Sequence, residues 1–364
     1  MFEARSTIKF PDIGRYFPIF LEAIEAHGLP VRQQGVSAAQ AGAEREVSLT
    51  CTGTSLSVVI RCDDQAKLNA LRYTITSLID FNAREVSPLI NWQGDEVGET
   101  LPPDLRVLIV AGTEEITPRM RRIWFDGDVE RYDTLDHLHS RLLFKRGRGI
   151  PEVWPQMTDA GRIRWPQGEA ELDTRIYTVR KVDQANGRLA VDFFLGDHAG
   201  PATDWARSAE PGDGVGFVGP AAHGLVAAEF NVFAADETGL PGVLRCLEAL
   251  DPAARGVALL EVDGPQEEQA VAAPPGVALR WLHRNGAAPG TQDLLASAFA
   301  EIDWPKDPCR ASFWCGAERS AFLTMWREVR ARGLPRKQIV AFAHWRRGMS
   351  EPEIAATGSA SIRE

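Results

Sequence analysis

The pattern of the chain changes near residue 229, and that change restricts its fold more than any other feature. Upstream lie the short β-like runs RVLIVAG, MRRIWFDG, LHSRLLFK, RIYTVRKVD, LAVDFFLG and GVGFVGP, each punctuated by turn residues. Runs of this kind suit an antiparallel barrel. Downstream, NVFAADE, GVALLEVD, VALRWLH, ASFWCGAE and QIVAFAHW alternate with segments at helical spacing such as GLPGVLRCLEAL. Strand-helix alternation argues for a parallel sheet with helices on its faces. The expected order is therefore an antiparallel β-barrel domain over 105–222, then an α/β parallel-sheet domain over 229–350.

Ahead of the barrel, residues 1–92 read as a small α+β domain. Residues 13–28 carry apolar side chains at helical spacing and end on Gly28, a residue suited to stopping a helix. EVSLTC and SLSVVIR alternate apolar and polar residues around Thr52-Gly53-Thr54, which predicts a hairpin. Residues 63–82 predict a second amphipathic helix with Asp63 or Asp64 as its N-cap. The polar, Gly- and Pro-rich stretch 92–104 reads as a linker. No catalytic constellation stands out in this region.

Composition excludes several classes. The formal net charge of the 364 residues is -10, whereas sequence-independent nucleic-acid binding needs a basic footprint. Five cysteines without a CxxC pair argue against a disulfide framework. The opening MFEARSTIKFPDIG lacks the apolar run of a signal peptide. No stretch approaches the ~18 apolar residues of a spanning helix. A cytoplasmic protein, not integral to a membrane, is expected. The seven histidines are scattered; His137 and His139 would share one side of a strand, without the spacing of a zinc site. No metal site is expected.

The residues with chemical meaning fall in a fixed order. Arg175-Ile176-Tyr177-Thr178 resembles the R-x-Y-[ST] flavin motif of the ferredoxin-reductase-like superfamily. A guanidinium can hold the FAD pyrophosphate bidentately, a tyrosine ring can lie on the isoalloxazine, and a hydroxyl can bond near the flavin atom where hydride arrives. A plain edge strand is the alternative for four residues alone. Val191-Asp192-Phe193-Phe194-Leu195 follows, then Gly200-Pro201-Ala202-Thr203-Asp204-Trp205-Ala206, then Pro211-Gly212-Asp213 and Val218-Gly219-Pro220. Gly-Pro-Ala-Thr suits the start of a helix, where free N–H groups attract phosphate. Taken together these segments resemble the siderophore-interacting proteins, a family of NAD(P)H-dependent ferric-siderophore reductases. That family reads R-x-Y-T-V-R, V-D-F-V-L-H-G, G-P-A-[ST]-x-W-A, G-D and G-P. This chain departs from it at Gly196, where the family has His; His198 lies two residues further on.

The resemblance continues in the second half. Ala235-Asp236-Glu237-Thr238-Gly239-Leu240-Pro241-Gly242 is similar to the family's G-D-E-T-A-L-P-A loop under the nicotinamide nucleotide. Phe313-Trp314-Cys315-Gly316-Ala317-Glu318 is similar to its W-x-A-G-E segment, and Cys315 is either a nicotinamide-side group or a buried structural thiol. Phe342-Ala343-His344-Trp345-Arg346-Arg347-Gly348 resembles the closing Y-W-R-x-G, with Trp345 either near the cofactors or in the core. Thr117-Pro118-Arg119-Met120-Arg121-Arg122 matches T-P-R-M-R-R. The resemblance spans about residues 105–350.

What it implies is a flavoprotein that takes hydride from NADPH or NADH and passes electrons through FAD to a ferric siderophore or other ferric chelate. The implied cofactor residues are Arg175, Tyr177, Thr178, Asp192, Phe193, Phe194, Gly200, Pro201, Ala202, Thr203 and Trp205 on the flavin side. On the nucleotide side they are Asp236, Glu237, Thr238, Cys315, Gly316, Glu318 and Trp345. No general acid or base is implied, because the cofactor carries the chemistry. Arg346, Arg347, Arg122 and Arg207 are candidates for a basic rim facing an anionic chelate. Asp263, Glu267 and Glu268 would suit NADH, and Arg280, Arg284 and Arg319 could favour NADPH. Two alternatives stand beside this reading: a flavin-dependent reductase with another acceptor, and a non-catalytic ferric-siderophore-binding protein.

Overall fold

The computed structural model describes residues 1–95, 97–98, 100–196, 200–350 and 353–354. The chain forms two compact units, one of residues 1–106 with 145–172, the other of 107–144 with the chain from Asp173 onward. Among the described residues no helix is long and apolar enough to cross a membrane.

The first unit opens with β1 (Phe2–Lys9), α1 (Ile13–Ala26), β2 (Val31–Gln33), β3 (Ala38–Ala41), β4 (Val47–Thr52), β5 (Ser55–Cys62), α2 (Gln65–Asn82) and β6 (Gln93–Gly94). Its antiparallel sheet runs β2-β3-β4-β5-β1-β6, and its buried residues form one core with those of the two helices. Both predicted helices are present. Gly28 takes a left-handed φ of 81° just past α1. Asp64 is the N-cap of α2, accepting from the Lys67 N–H at 2.6 Å. Thr52 pairs with Ser55, so β4 and β5 meet at a two-residue turn on Gly53, with φ 59°.

Two features differ from the sequence reading. β1 carries Ala4, Ser6 and Ile8 on its buried face, and small or polar residues there mute the alternation that marks a strand. The stretch 92–104 is no plain linker: Trp92 is only 3% exposed in the core, and β6 pairs with β1.

The second unit begins with β7 (Leu105–Thr117), β8 (Met120–Asp126) and β9 (His137–Lys145). The chain then runs back through the first unit, where β10 (Gln156–Met157) and β11 (Ile163–Arg164) pair as a short hairpin. α2 and Trp92 hold this excursion. Thr76 Oγ1 donates to the Ala160 carbonyl at 3.3 Å and accepts from Trp92 Nε1 at 3.0 Å. The Trp92 N–H donates to the Asp159 carbonyl at 3.0 Å. Arg162 grips Asp80 through two contacts of 2.7 Å. Gly161 fits because a Cβ there would lie 2.6 Å from Thr76 Oγ1 and 2.9 Å from the Trp92 ring nitrogen.

The chain returns with β12 (Leu172–Asp183), β13 (Arg188–Phe194), α3 (Pro201–Ser208) and β14 (Gly214–His223). Six strands close a barrel in the order β12-β13-β8-β7-β14-β9. Phe125, Phe144, Phe193 and Phe217 fill it. The α/β part follows as β15 (Phe230–Ala235), α4 (Leu240–Glu248), β16 (Arg255–Val262), β17 (Gly276–His283), α5 (Leu294–Ala300), β18 (Ala311–Glu318), α6 (Arg319–Ala331) and β19 (Ile339–Trp345). Its five strands are parallel and ordered β17-β16-β15-β18-β19. The expected plan of an antiparallel barrel followed by a parallel sheet is thus present, behind an N-terminal α+β unit.

The excursion gives the first test. Trp92→Phe removes one buried donor and is expected to cost about 1–2 kcal/mol. Trp92→Ala also leaves a cavity and is expected to cost roughly 3–5 kcal/mol. Denaturant unfolding followed by limited proteolysis should show cleavage within 145–172 rising in that order.

Candidate functional site at the β15–β18 switch point

Strand order reverses direction between β15 and β18, and in open α/β sheets ligands bind at the carboxyl ends of the strands beside such a reversal. The turn Asp236–Gly239 leaves β15 at that point. Asp236 organises it. Its buried carboxylate accepts from the Thr238 N–H at 2.8 Å and hydroxyl at 2.6 Å, from the Glu318 N–H at 2.8 Å and from Trp345 Nε1 at 2.8 Å. Four donors satisfy a buried carboxylate without a cation. Two glycines allow the packing: a Cβ on Gly239 would collide with the Gly316 carbonyl, and a Cβ on Gly316 would press on the His344 ring. Thr238 Oγ1 is also 3.3 Å from His344 Nδ1. The fold thus gathers Asp236, Thr238, Gly316, Glu318 and Trp345.

On the barrel side, β12 presents the flavin motif. Arg175 is half-buried and donates to the Thr174 carbonyl at 2.7 Å. The Tyr177 ring is 4.4 Å from that of Phe193. Thr178 is buried, with its hydroxyl 3.2 Å from His139 Nε2. His139 in turn meets His344 edge-on at 5.8 Å. α3 starts at Gly200, which carries no side-chain cap and would have nothing within 4 Å of an added Cβ. These residues fit a bound flavin: a guanidinium, an aromatic ring at the barrel end, a buried hydroxyl, and an uncapped helix start open for phosphate. Phe194 and Thr203 are half-buried and Ala202 is buried. Trp205 sits deeper, stacked on Phe125 at 6.3 Å and tilted against Phe144 at 5.0 Å, and so closes the end of the barrel core.

α4 joins the two halves. Arg245 is buried and donates to the carbonyls of Val179 at 2.6 Å, Tyr132 at 2.9 Å and Thr134 at 2.9 Å; burial lowers its pKa. Glu248 takes both nitrogens of Arg180, at 2.6 and 2.7 Å. Burial raises the Glu248 carboxyl, but the Arg180 fork outweighs it and leaves the net shift downward. Asp192, next along the barrel wall, is fully buried, paired with Arg122 at 2.7 and 2.8 Å and 3.8 Å from Arg180. Arg122 therefore anchors the wall rather than a basic rim.

Several residues read together in the sequence are held apart. Glu237 turns from the Asp236 cluster and forks onto buried Arg284, which also reaches Glu261 at 3.3 Å. Arg284 is thus unavailable to a 2′-phosphate. Arg280 pairs with Glu301 at 2.7 Å. Buried Glu267 accepts from Thr117 Oγ1 at 2.5 Å and the Arg119 N–H at 3.2 Å, tying down the barrel turn. Glu268 pairs with His283 at 2.9 Å. Cys315 lies in the core with Phe322 and Phe299, on the face of β18 opposite Trp314, and burial pushes its thiol well up. Arg346 and Arg347 are exposed, as is Arg207, which donates to the Gly196 carbonyl at 2.7 Å. His198 lies outside the described residues. All five cysteines are free. His139 and His344 carried no sequence signal beyond their neighbours; only the fold brings them together.

Two family models match nearly the whole second unit: a siderophore-interacting FAD-binding domain over 109–224 and a siderophore-interacting protein domain over 228–348. The chain is 35% identical to a siderophore utilization protein from T. fusca of known crystal structure, covering 69% of this chain and 97% of that one, with a TM-score of 0.61. The chain belongs to the siderophore-interacting protein family. Its FAD-binding domain is the barrel, and its cofactor is FAD. Other family relatives include the ferric vibriobactin reductase ViuB of Vibrio cholerae, 25% identical over 58% of this chain and 78% of that one. The NADPH-dependent ferric-chelate reductase of Escherichia coli is 28% identical over 66% and 92% respectively. The family models leave residues 1–108 unmatched.

Two tests follow from the buried charges. Burial, reinforced by Asp236, pushes Glu261 up to about 7. The folded state then keeps a proton that the unfolded chain releases above its ordinary carboxyl pKa, so this residue's contribution is present at pH 4 and lost as pH rises through 7. Glu261→Gln keeps it: between pH 5 and 8 the wild type should lose on the order of 2–3 kcal/mol relative to the variant, measured by denaturant unfolding at both pH values. Arg122→Leu leaves buried Asp192 with only the 3.8 Å contact to Arg180 and should cost roughly 3–5 kcal/mol in the same assay at pH 7.

Proposed function

We propose that the protein is a cytoplasmic flavin-dependent reductase that takes hydride from NADH or NADPH and passes electrons to ferric iron held in a siderophore or other ferric chelate. The observation that carries the proposal is the continuity of the site. Thr178 of the flavin strand meets His139, His139 meets His344, and His344 meets Thr238 of the nucleotide turn. Donor and acceptor halves thereby share one polar cluster. The ferric reductases of Vibrio cholerae and Escherichia coli to which the chain is similar support the choice of a ferric chelate as acceptor.

When bound, FAD supplies the exchange between a two-electron donor and one-electron acceptors. The protein's own residues bind and orient. Arg175 grips the diphosphate, with the N–H groups that open α3 at Gly200–Thr203 beside it. Tyr177, backed by Phe193, covers the ring system. Asp192 holds this wall in register through Arg122. Asp236 fixes the turn on which the nicotinamide nucleotide rests, with Gly316, Glu318 and Trp345 behind it. Exposed Arg346 and Arg347 attract an anionic chelate. Fe(II) is held by siderophores far more weakly than Fe(III), so reduction releases the metal.

The purified protein should be yellow or become so with added FAD. Mixed anaerobically with NADH or NADPH it should bleach, and a ferric siderophore should restore the colour. Arg175→Ala removes a charge-assisted pair worth roughly 2–3 kcal/mol, so its FAD Kd should rise about 30- to 150-fold. A colourless protein that takes up no FAD refutes the proposal.

A further inference from the structure

The hydrogen bonds around His344 determine where its proton sits. Thr238 has one hydroxyl hydrogen, and the 2.6 Å contact to Asp236 uses it. The 3.3 Å contact between Thr238 Oγ1 and His344 Nδ1 must then be donated by the imidazole. That fixes the Nδ1–H tautomer and leaves Nε2 as the basic nitrogen. Asp236 cannot turn away, because the Glu318 N–H and Trp345 Nε1 hold its other oxygen. The basic edge of the ring rests on Gly316: a Cβ there would lie 2.7 Å from Nε2 and 2.6 Å from Cε1. Across the ring stand His139 at 5.8 Å and Trp314 at 6.5 Å, and His139 leads on to Thr178.

The proposed reaction leaves a proton behind. NAD(P)H delivers two electrons and one proton as hydride, and two ferric ions accept only the electrons. The balance is NAD(P)H + 2 Fe(III) → NAD(P)⁺ + 2 Fe(II) + H⁺. We propose that His344 Nε2 accepts this proton, with Thr238 and Asp236 as positioning residues that hold the imidazole in its accepting tautomer and stabilise the imidazolium. The inference rests on the reductase reading. Burial lowers the His344 pKa, with Asp236 opposing it, so the ring is neutral and able to accept at neutral pH. The titratable groups on the elements packed around it are Asp236, His139 of β9 and Glu318 of β18. The Glu318 carboxylate is occupied by Ser320 and the Arg347 N–H. Cys315 faces the other side of β18.

The first measurement needs neither cofactor nor variant. Nitrogen NMR of the imidazoles in the flavin-free protein should show His344 as the Nδ1–H tautomer, titrating below an ordinary histidine. Thr238→Val should shift it toward Nε2–H. An Nε2–H tautomer in the wild type overturns the inference. The second measurement follows reoxidation of the reduced enzyme by ferric siderophore from pH 5 to 8. The wild-type rate should rise with pH through the His344 titration. His344→Gln and His344→Tyr should lose that limb and run roughly 10²-fold slower at pH 7, the lower end of what a positioned proton acceptor contributes. Unchanged rate and pH profile in both variants, with the wild type active, sink the His344 role and leave the reductase standing. A wild type that bleaches with neither nucleotide removes both.

Discussion

Arg245 ties the barrel to the parallel-sheet part of the second unit. It lies buried against three carbonyls of the barrel, those of Val179, Tyr132 and Thr134, with no carboxylate hydrogen-bonded to it. A cation taken out of water is tolerable only when its donors are satisfied, so the helix that carries it has little freedom to shift. One turn further on, Glu248 of the same helix seizes Arg180. Val179 and Arg180 directly follow Tyr177 and Thr178 on β12. The helix that opens from the Asp236 turn is therefore fastened to the strand that carries the flavin motif, and the distance between the two half-sites is set by backbone and buried charge.

Much of this architecture could be read from the sequence, because the signals that set it are local. The barrel's short runs and the later strand-helix alternation announce the two parts, and the ordered motifs announce the cofactor. The site was legible in part. Asp236, Thr238, Gly316, Glu318 and Trp345 are named by motif and do converge. Glu237 and Arg284, which the sequence sets on the nucleotide side, neutralise one another in the interior. Glu267, by sequence a nucleotide-side carboxylate, caps Thr117 and Arg119, 150 and 148 residues away. Charge pairing across such separations leaves no periodicity to detect. The same holds for His344 and Thr238, 106 residues apart: each looks ordinary until folding sets one against the other.

The buried polar groups of the second unit divide into two kinds. Asp192, Glu248 and Glu237 each face an arginine, an arrangement that fixes position at a modest net gain, since desolvation consumes most of the attraction. Among the described residues, Asp236 hydrogen-bonds only to neutral donors. Its charge is spread over four hydrogen bonds and remains uncompensated, which makes the turn after β15 a site of standing negative potential. A positive charge arising beside it, such as one on the neighbouring His344 imidazole, is stabilised there.

The excursion from β9 to β12 bears on how the protein is made. Residues 1–106 leave the ribosome first, but the fold they build is unfinished at that stage. Asp159 and Ala160, which receive the Trp92 N–H and the Thr76 hydroxyl, come only after the first three barrel strands. The first unit is completed only by residues 145–172, made after three barrel strands. The two units are interlaced along the chain rather than strung one after the other.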